Sequence, residues 1–214
     1  MRTGKKYRQK IPRPLQWVWV IRVDFRMVFE KVVQGFHDLK IRYALIGGFA
    51  LGLWGVPRAT VDLDFLIAKE DMPKVDKVLK NLGYECRYQS ENVSQYVSPL
   101  KVFGNIDCLY AFRIASLNMI ERAEDKEIFG GTIKIKVARP EDLIGLKLQA
   151  MHNDSSRREQ DFADIKALVS LWGPRLDWSL IKEYARILEM EEVYQSFVPS
   201  QRNEGRTTES DSFS

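Results

Sequence analysis

The sequence predicts an α+β fold: a mixed β-sheet flanked by helices and followed by a C-terminal helical segment. Three observations predict it. From Met27 apolar residues recur at helical spacing, with Val28, Phe29, Val32, Val33, Phe36 and Leu39 on one face. Between Tyr43 and Val137 short apolar or alternating runs are punctuated by glycine turns, which is how strands read. From Pro140 the helical period returns and persists to Leu188.

Taken in order, Tyr43–Ile46 is a short apolar strand ending at Gly47-Gly48, and Phe49–Trp54 forms a short helix closed by Gly55 and Pro57. Val61–Ile67 alternates, with Val61, Leu63 and Phe65 on one face and Asp62 and Asp64 on the other. Asp71 opens a helix with Pro73 in its first turn and Gly83 as its stop. Tyr84–Tyr88, Val93–Val97 and Val102–Tyr110 read as strands, and Ser116 caps a helix through Met119, Ile120 and Ala123. Ile128-Phe129 and Ile133–Val137 form a hairpin across Gly130-Gly131. Leu143, Leu146, Lys147 and Ala150, then Phe162, Ile165, Leu168 and Val169, then Trp178, Ile181, Tyr184 and Leu188 mark three helices.

The 214 residues accordingly divide into a basic, flexible extension over 1–26, a sheet-bearing core over 27–138, a helical segment over 139–198 packed on it, and a disordered tail over 199–214. With 45% hydrophobic and 29% charged residues the chain reads as a soluble globular protein. No apolar run approaches the roughly 20 residues of a membrane span, and Leu15–Ile21 lacks the cleavage site of a signal peptide. Cys86 and Cys108 have no CxxC spacing, so neither a zinc site nor a disulfide framework is implied, and a reducing cytoplasm is the simplest home. A net charge of +4 permits a polyanionic partner without requiring one.

The chemistry concentrates in one stretch. Two carboxylates two positions apart on a strand lie about 6–7 Å apart and aim the same way. Magnesium binds through a few carboxylates plus substrate phosphates, so Asp62 and Asp64 suit a metal–nucleotide complex. Asp107, on a strand with Ile106 and Cys108 facing the other way, supplies a third acid or a general base. Gly47-Gly48, 14 positions before Asp62, lets backbone amides approach a phosphate, with Arg58 and Thr60 on the way to the acids. Each element has a plainer reading: a solvated strand edge for the acids, a tight turn for the glycines, solvation of a strand entry for Arg58 and Thr60.

The run G47-G48-F49-A50, then R58-A-T60-V-D62-L-D64, then Asp107 resembles the DNA polymerase beta superfamily of nucleotidyltransferases. Downstream, A138-R-P-E-D-L-I-G-L-K147-L-Q-A150 and R157-R-E-Q-D161-F-A-D164-I resemble the AbiEii toxin-type branch and the small toxin–antitoxin nucleotidyltransferases. By that resemblance Asp62, Asp64 and Asp107 bind two magnesium ions, for which manganese could substitute. Gly47 and Gly48 hold the triphosphate, and Lys147 and Asp161 match the branch's downstream basic and acidic positions. The activity implied is transfer of a nucleoside monophosphate from a triphosphate such as ATP to a hydroxyl of transfer RNA or of a protein, with a cognate toxin or antitoxin as further partner. Read from the residues alone, Lys147 also suits a snorkelling position, and Asp161 and Asp164 suit capping or pairing with Arg157 or Arg158. Two other functions compete: a nucleotide-binding antitoxin-like partner with little turnover, and a D-x-D glycosyltransferase.

Overall fold

The computed structural model describes residues 25–60, 62–98 and 104–199. The basic segment through residue 24, Val61, the Val102-Phe103 strand start and the tail from residue 200 lie outside the described residues. Helix α1 (Phe25–Asp38) begins before Met27, so the boundary expected at residue 26 falls inside a helix, which buries Phe29, Val32 and Phe36. There follow β1 (Tyr43–Ile46), α2 (Gly47–Leu53), β2 (Leu63–Ala68), α3 (Met72–Asn81), β3 (Glu85–Gln89), β4 (Val93–Val97) and β5 (Asn105–Ala111). The chain continues through α4 (Ile114–Glu121), β6 (Glu124–Ile128), β7 (Ile133–Val137), α5 (Pro140–Asn153), α6 (Arg158–Trp172), α7 (Trp178–Ile187) and α8 (Glu191–Gln195).

The strands form one seven-stranded mixed sheet in the order β3-β4-β5-β2-β1-β7-β6. β2 and β5 are parallel, as are β1 and β7, while β1 and β2 are antiparallel. On one face α1 and α3 cover the sheet, with Phe36, Tyr43 and Phe65 packed edge to face at 5.1–5.8 Å between ring centroids. Helices α2 and α4 both pack on β1 and β2, α2 also meets α1 through Phe49 and Phe29 at 5.2 Å between ring centroids, and α5 packs against α2.

Three expectations need correction. Asp62 precedes β2 on a bend, so the alternation that places it on a strand holds only from Leu63. Ser116 is the third residue of α4; Arg113 is the N-cap, and the Ser116 hydroxyl reaches back to its backbone. β6 is longer than expected because Glu124–Glu127 carries charge on an edge strand, where water solvates one side and no apolar period is needed.

The helical segment is fixed to the sheet by buried polar bonds. Trp54 Nε1 donates to the Ala138 carbonyl and Trp172 Nε1 to the Trp54 carbonyl, each at 2.8 Å. Tyr184 Oη and Arg122 Nη2 donate to Asp142 Oδ1 at 2.6 and 2.7 Å, joining α7 and the end of α4 to α5. Gly145 makes this packing possible, since a Cβ there would stand 2.5 Å from the Tyr184 ring.

Candidate active site

Strand register builds the floor of the site. Asp64 of β2 pairs directly with Asp107 of the parallel β5, Asp107 with Gln95 of β4, and Asp64 with Ile46 of β1. Cross-strand partners share a face, so two carboxylates stand side by side in one row. Two residues along each strand, Leu66, Leu109 and Val93 form an apolar row on the same face. Both rows line a cleft of about 590 Å³, which Lys147, Arg157 and Asp161 line as well.

Asp62 lies beside this row, its Oδ1 accepting from the Asn105 amide at 3.0 Å and so holding the start of β5 against the entry to β2. Gly47 follows Ile46 with φ +66°, and a Cβ added to it would collide with the Asp64 carboxylate. Only glycine accepts both that conformation and that approach. The next amide, of Gly48, helps to hold the Asp64 carboxyl down. A Cβ on Gly48 would come within 3.0 Å of the Thr60 side chain.

Electrostatically the acids are short of partners. Burial first, then the charges of Asp107 and Asp62, push the Asp64 carboxyl up to about 6; the Arg157 charge and the Gly48 amide pull the other way without cancelling this. Asp107 is also raised, by burial and then by Asp62, with a hydrogen bond from Gln95 opposing. Hard carboxylate oxygens crowded together with too little positive charge are a donor set that fits a divalent cation. Among the described residues no three acid, thiol or imidazole groups enclose an ion by themselves.

Helices α5 and α6 supply the opposite wall. Lys147 Nζ lies 2.7 Å from Asp161 Oδ1 and 2.7 Å from Asp164 Oδ2, with its side chain 13% exposed. Arg157 Nε donates to Asp161 Oδ2 at 3.1 Å, one turn along α6. Arg58 Nη1 stands 3.6 Å from Asp164 Oδ1.

The fold therefore brings Gly47, Asp64, Asp107, Lys147 and Asp161 to one cleft. Gly48, Arg58 and Thr60, expected to touch nucleotide, and Asp62, expected to hold metal, are not among the residues lining it. Arg58 faces α6, and the Thr60 hydroxyl donates to the Asp62 carbonyl at 3.2 Å. Asp161 is engaged by Lys147 and Arg157 rather than free for a ligand. Sequence reasoning missed Gln95, whose only signal is its position on a strand flanking Asp107. It also treated Arg157 merely as a pairing partner.

A sequence profile described as "Nucleotidyl transferase AbiEii toxin, Type IV TA system" matches residues 32–204. Among curated proteins none matches the chain in sequence. Of solved structures, the antibiotic-resistance factor ANT(2'')-Ia superposes with TM-score 0.57 at 12% identity, covering 83% of this chain and 97% of that one. An antigenic nucleotidyltransferase-like protein from Paracoccidioides brasiliensis gives TM-score 0.51 at 19% identity, covering 83% and 93%. The Megavirus polyadenylate synthase gives 0.50 at 16%, covering 80% of this chain and 40% of that one. At such identities these likenesses show the fold. The profile match spans most of the chain, and together with the sheet that sets Asp64 against Asp107 it shows that the protein is a nucleotidyltransferase belonging to the AbiEii nucleotidyl transferase family.

Proposed function

We propose that the protein transfers a nucleoside monophosphate from a magnesium-bound nucleoside triphosphate to an acceptor hydroxyl of transfer RNA or of a partner protein, in a toxin–antitoxin or related defence system. The observation that carries this reading is the pairing of Asp64 with Asp107 beside Gly47, across one cleft from Lys147. Asp62, Asp64 and Asp107 would hold the metal. When bound, it supplies charge neutralisation for the triphosphate and for the oxygens entering and leaving phosphorus.

The chain's own residues do the rest. Gly47 and Gly48 leave room for phosphate against the backbone, and Lys147 meets the negative charge that builds on the departing pyrophosphate. Asp107, its carboxyl raised by burial, takes the proton of the acceptor hydroxyl. The acceptor oxygen bonds to the α-phosphorus, the bond from that phosphorus to the bridging oxygen breaks, and pyrophosphate leaves. Leu66, Leu109 and Val93 offer an apolar surface next to the acids and keep water from that side. Arg58, Thr60 and Asp161 act on the site from behind, by bracing the groups that touch substrate.

The test is incubation of the full chain with magnesium and each labelled triphosphate, alongside total RNA and partner proteins, followed by mass spectrometry. The expected result is a gain of one nucleotide on one acceptor with pyrophosphate released, and no gain with Asp64→Asn. Nucleotide binding without any mass gain on RNA or protein would overturn the reading in favour of a binding partner without turnover.

A further inference from the structure

We propose that Asp164 is a positioning residue of the active site: from inside α6 it sets Lys147 at the cleft and ties it, through Arg58, to the loop carrying Thr60 and Asp62. The inference rests on reading the cleft as a triphosphate site.

Lys147 has two carboxylates where one would neutralise it, Asp161 and Asp164, each at 2.7 Å. Burying a second carboxylate is costly, and Asp164 is only 4% exposed. The pairing with Lys147 alone does not explain it. Its other oxygen does: Asp164 Oδ1 faces Arg58 Nη1 at 3.6 Å, reaching from α6 to the segment between α2 and β2. Gln160, one turn earlier on α6, meets the same guanidinium once its amide is oriented to satisfy both groups. Helix α6 thus grips Arg58 with two side chains a turn apart, and one of them also holds Lys147.

What Arg58 belongs to gives the grip its meaning. Two residues on, Thr60 packs against Gly48, which follows the Gly47 that lies against the Asp64 carboxylate. Four residues on, Asp62 holds the amide of Asn105 at the start of β5. One carboxylate on the helical wall therefore fixes the cleft's lysine and the segment that backs the glycine turn and the acids. Three cations, Arg58, Lys147 and Arg157, share two carboxylates, Asp161 and Asp164, with Lys147 and Arg157 lining the cleft and Arg58 behind it.

Titration calorimetry on the full chain, with magnesium and ATP, GTP, CTP and UTP in turn, tests this through a double-mutant cycle. Asp164→Asn and Lys147→Met should each weaken the tightest triphosphate by about tenfold, and the double variant no further than the weaker single. A purely structural Asp164 would lower the denaturation midpoint and leave the Lys147→Met effect intact, so that the losses multiply. Multiplying losses, or wild-type affinity in Asp164→Asn, would overturn this inference and leave the triphosphate reading standing. Absence of triphosphate binding by the wild-type chain overturns both. If Asp164→Asn fails to fold, Asp164→Glu takes its place, keeping the charge while shifting the carboxylate by one methylene.

Discussion

The two ends of β2 carry the same residue type in opposite circumstances. At its start Asp64 shares a row with Asp107 and has too little positive charge nearby, so its carboxyl rises to about 6. Just past its other end Asp71 is buried, with its side chain 7% exposed. Burial pushes that carboxyl up too, but hydrogen bonds from Lys74 and from the side chain and backbone of Arg42 outweigh it and hold it down at about 2. One acid finds its counter-charge within the chain and serves the fold. The other has too little counter-charge within the chain, and the fold carries the cost of that.

The largest effect that sharpens this contrast is on activity. On the proposed reading, Asp64→Asn or Asp107→Asn should cut nucleotide incorporation by roughly 10²–10³, since either removes a carboxylate that would hold the metal against the phosphates. Asp71→Ala should instead cost about 2–3 kcal/mol in chemical denaturation at pH 7, because Arg42 and Lys74 lose their shared partner. Activity per folded molecule should stay at the wild-type level.

Stability in the presence of chelator separates the ends by sign. The folded Asp64 carboxyl sits above its ordinary 3.8, so folding bears the penalty in full above about pH 6 and sheds it as pH falls toward 4. Asp64→Asn should therefore stabilise the chelated protein by roughly 1–2 kcal/mol at pH 7.5 and by nothing at pH 4. Asp71, held below 3.8, gives its full contribution above pH 4 and loses it as pH falls toward 2. Wild-type denaturation from pH 4 to 2 should lose that contribution, and Asp71→Ala should show a shallower fall. Smallest of all, Glu70→Gln should leave the melting temperature unmoved, because the Arg42–Glu70 pair is exposed on both sides.

How much of this the residues disclose varies by element. The alternation around Leu63 and Phe65 discloses a strand with Asp64 on the open face, and Ile106 and Cys108 do the same for Asp107. Helix α8 and most of β6 carry too little apolar period to be read, since their neighbours rather than their own pattern hold them. Arg58 and Thr60 follow the glycine turn in sequence, which suggested contact with nucleotide. Chain order does not say which way a loop side chain turns, and here they turn to α6 and to Gly48.

By itself the sequence determined which groups are available: a glycine pair after a strand, acids of one facing, and a lysine on a helix. Those are local matters, settled by backbone period and residue type. Only the tertiary structure decided that β2 and β5 run parallel in a register setting Asp64 against Asp107, and that α5 and α6 carry Lys147 to the same cleft. It also decided that Asp161 and Asp164 hold the lysine. Strand order and helix docking depend on long-range burial of apolar faces, to which no short stretch of sequence has access.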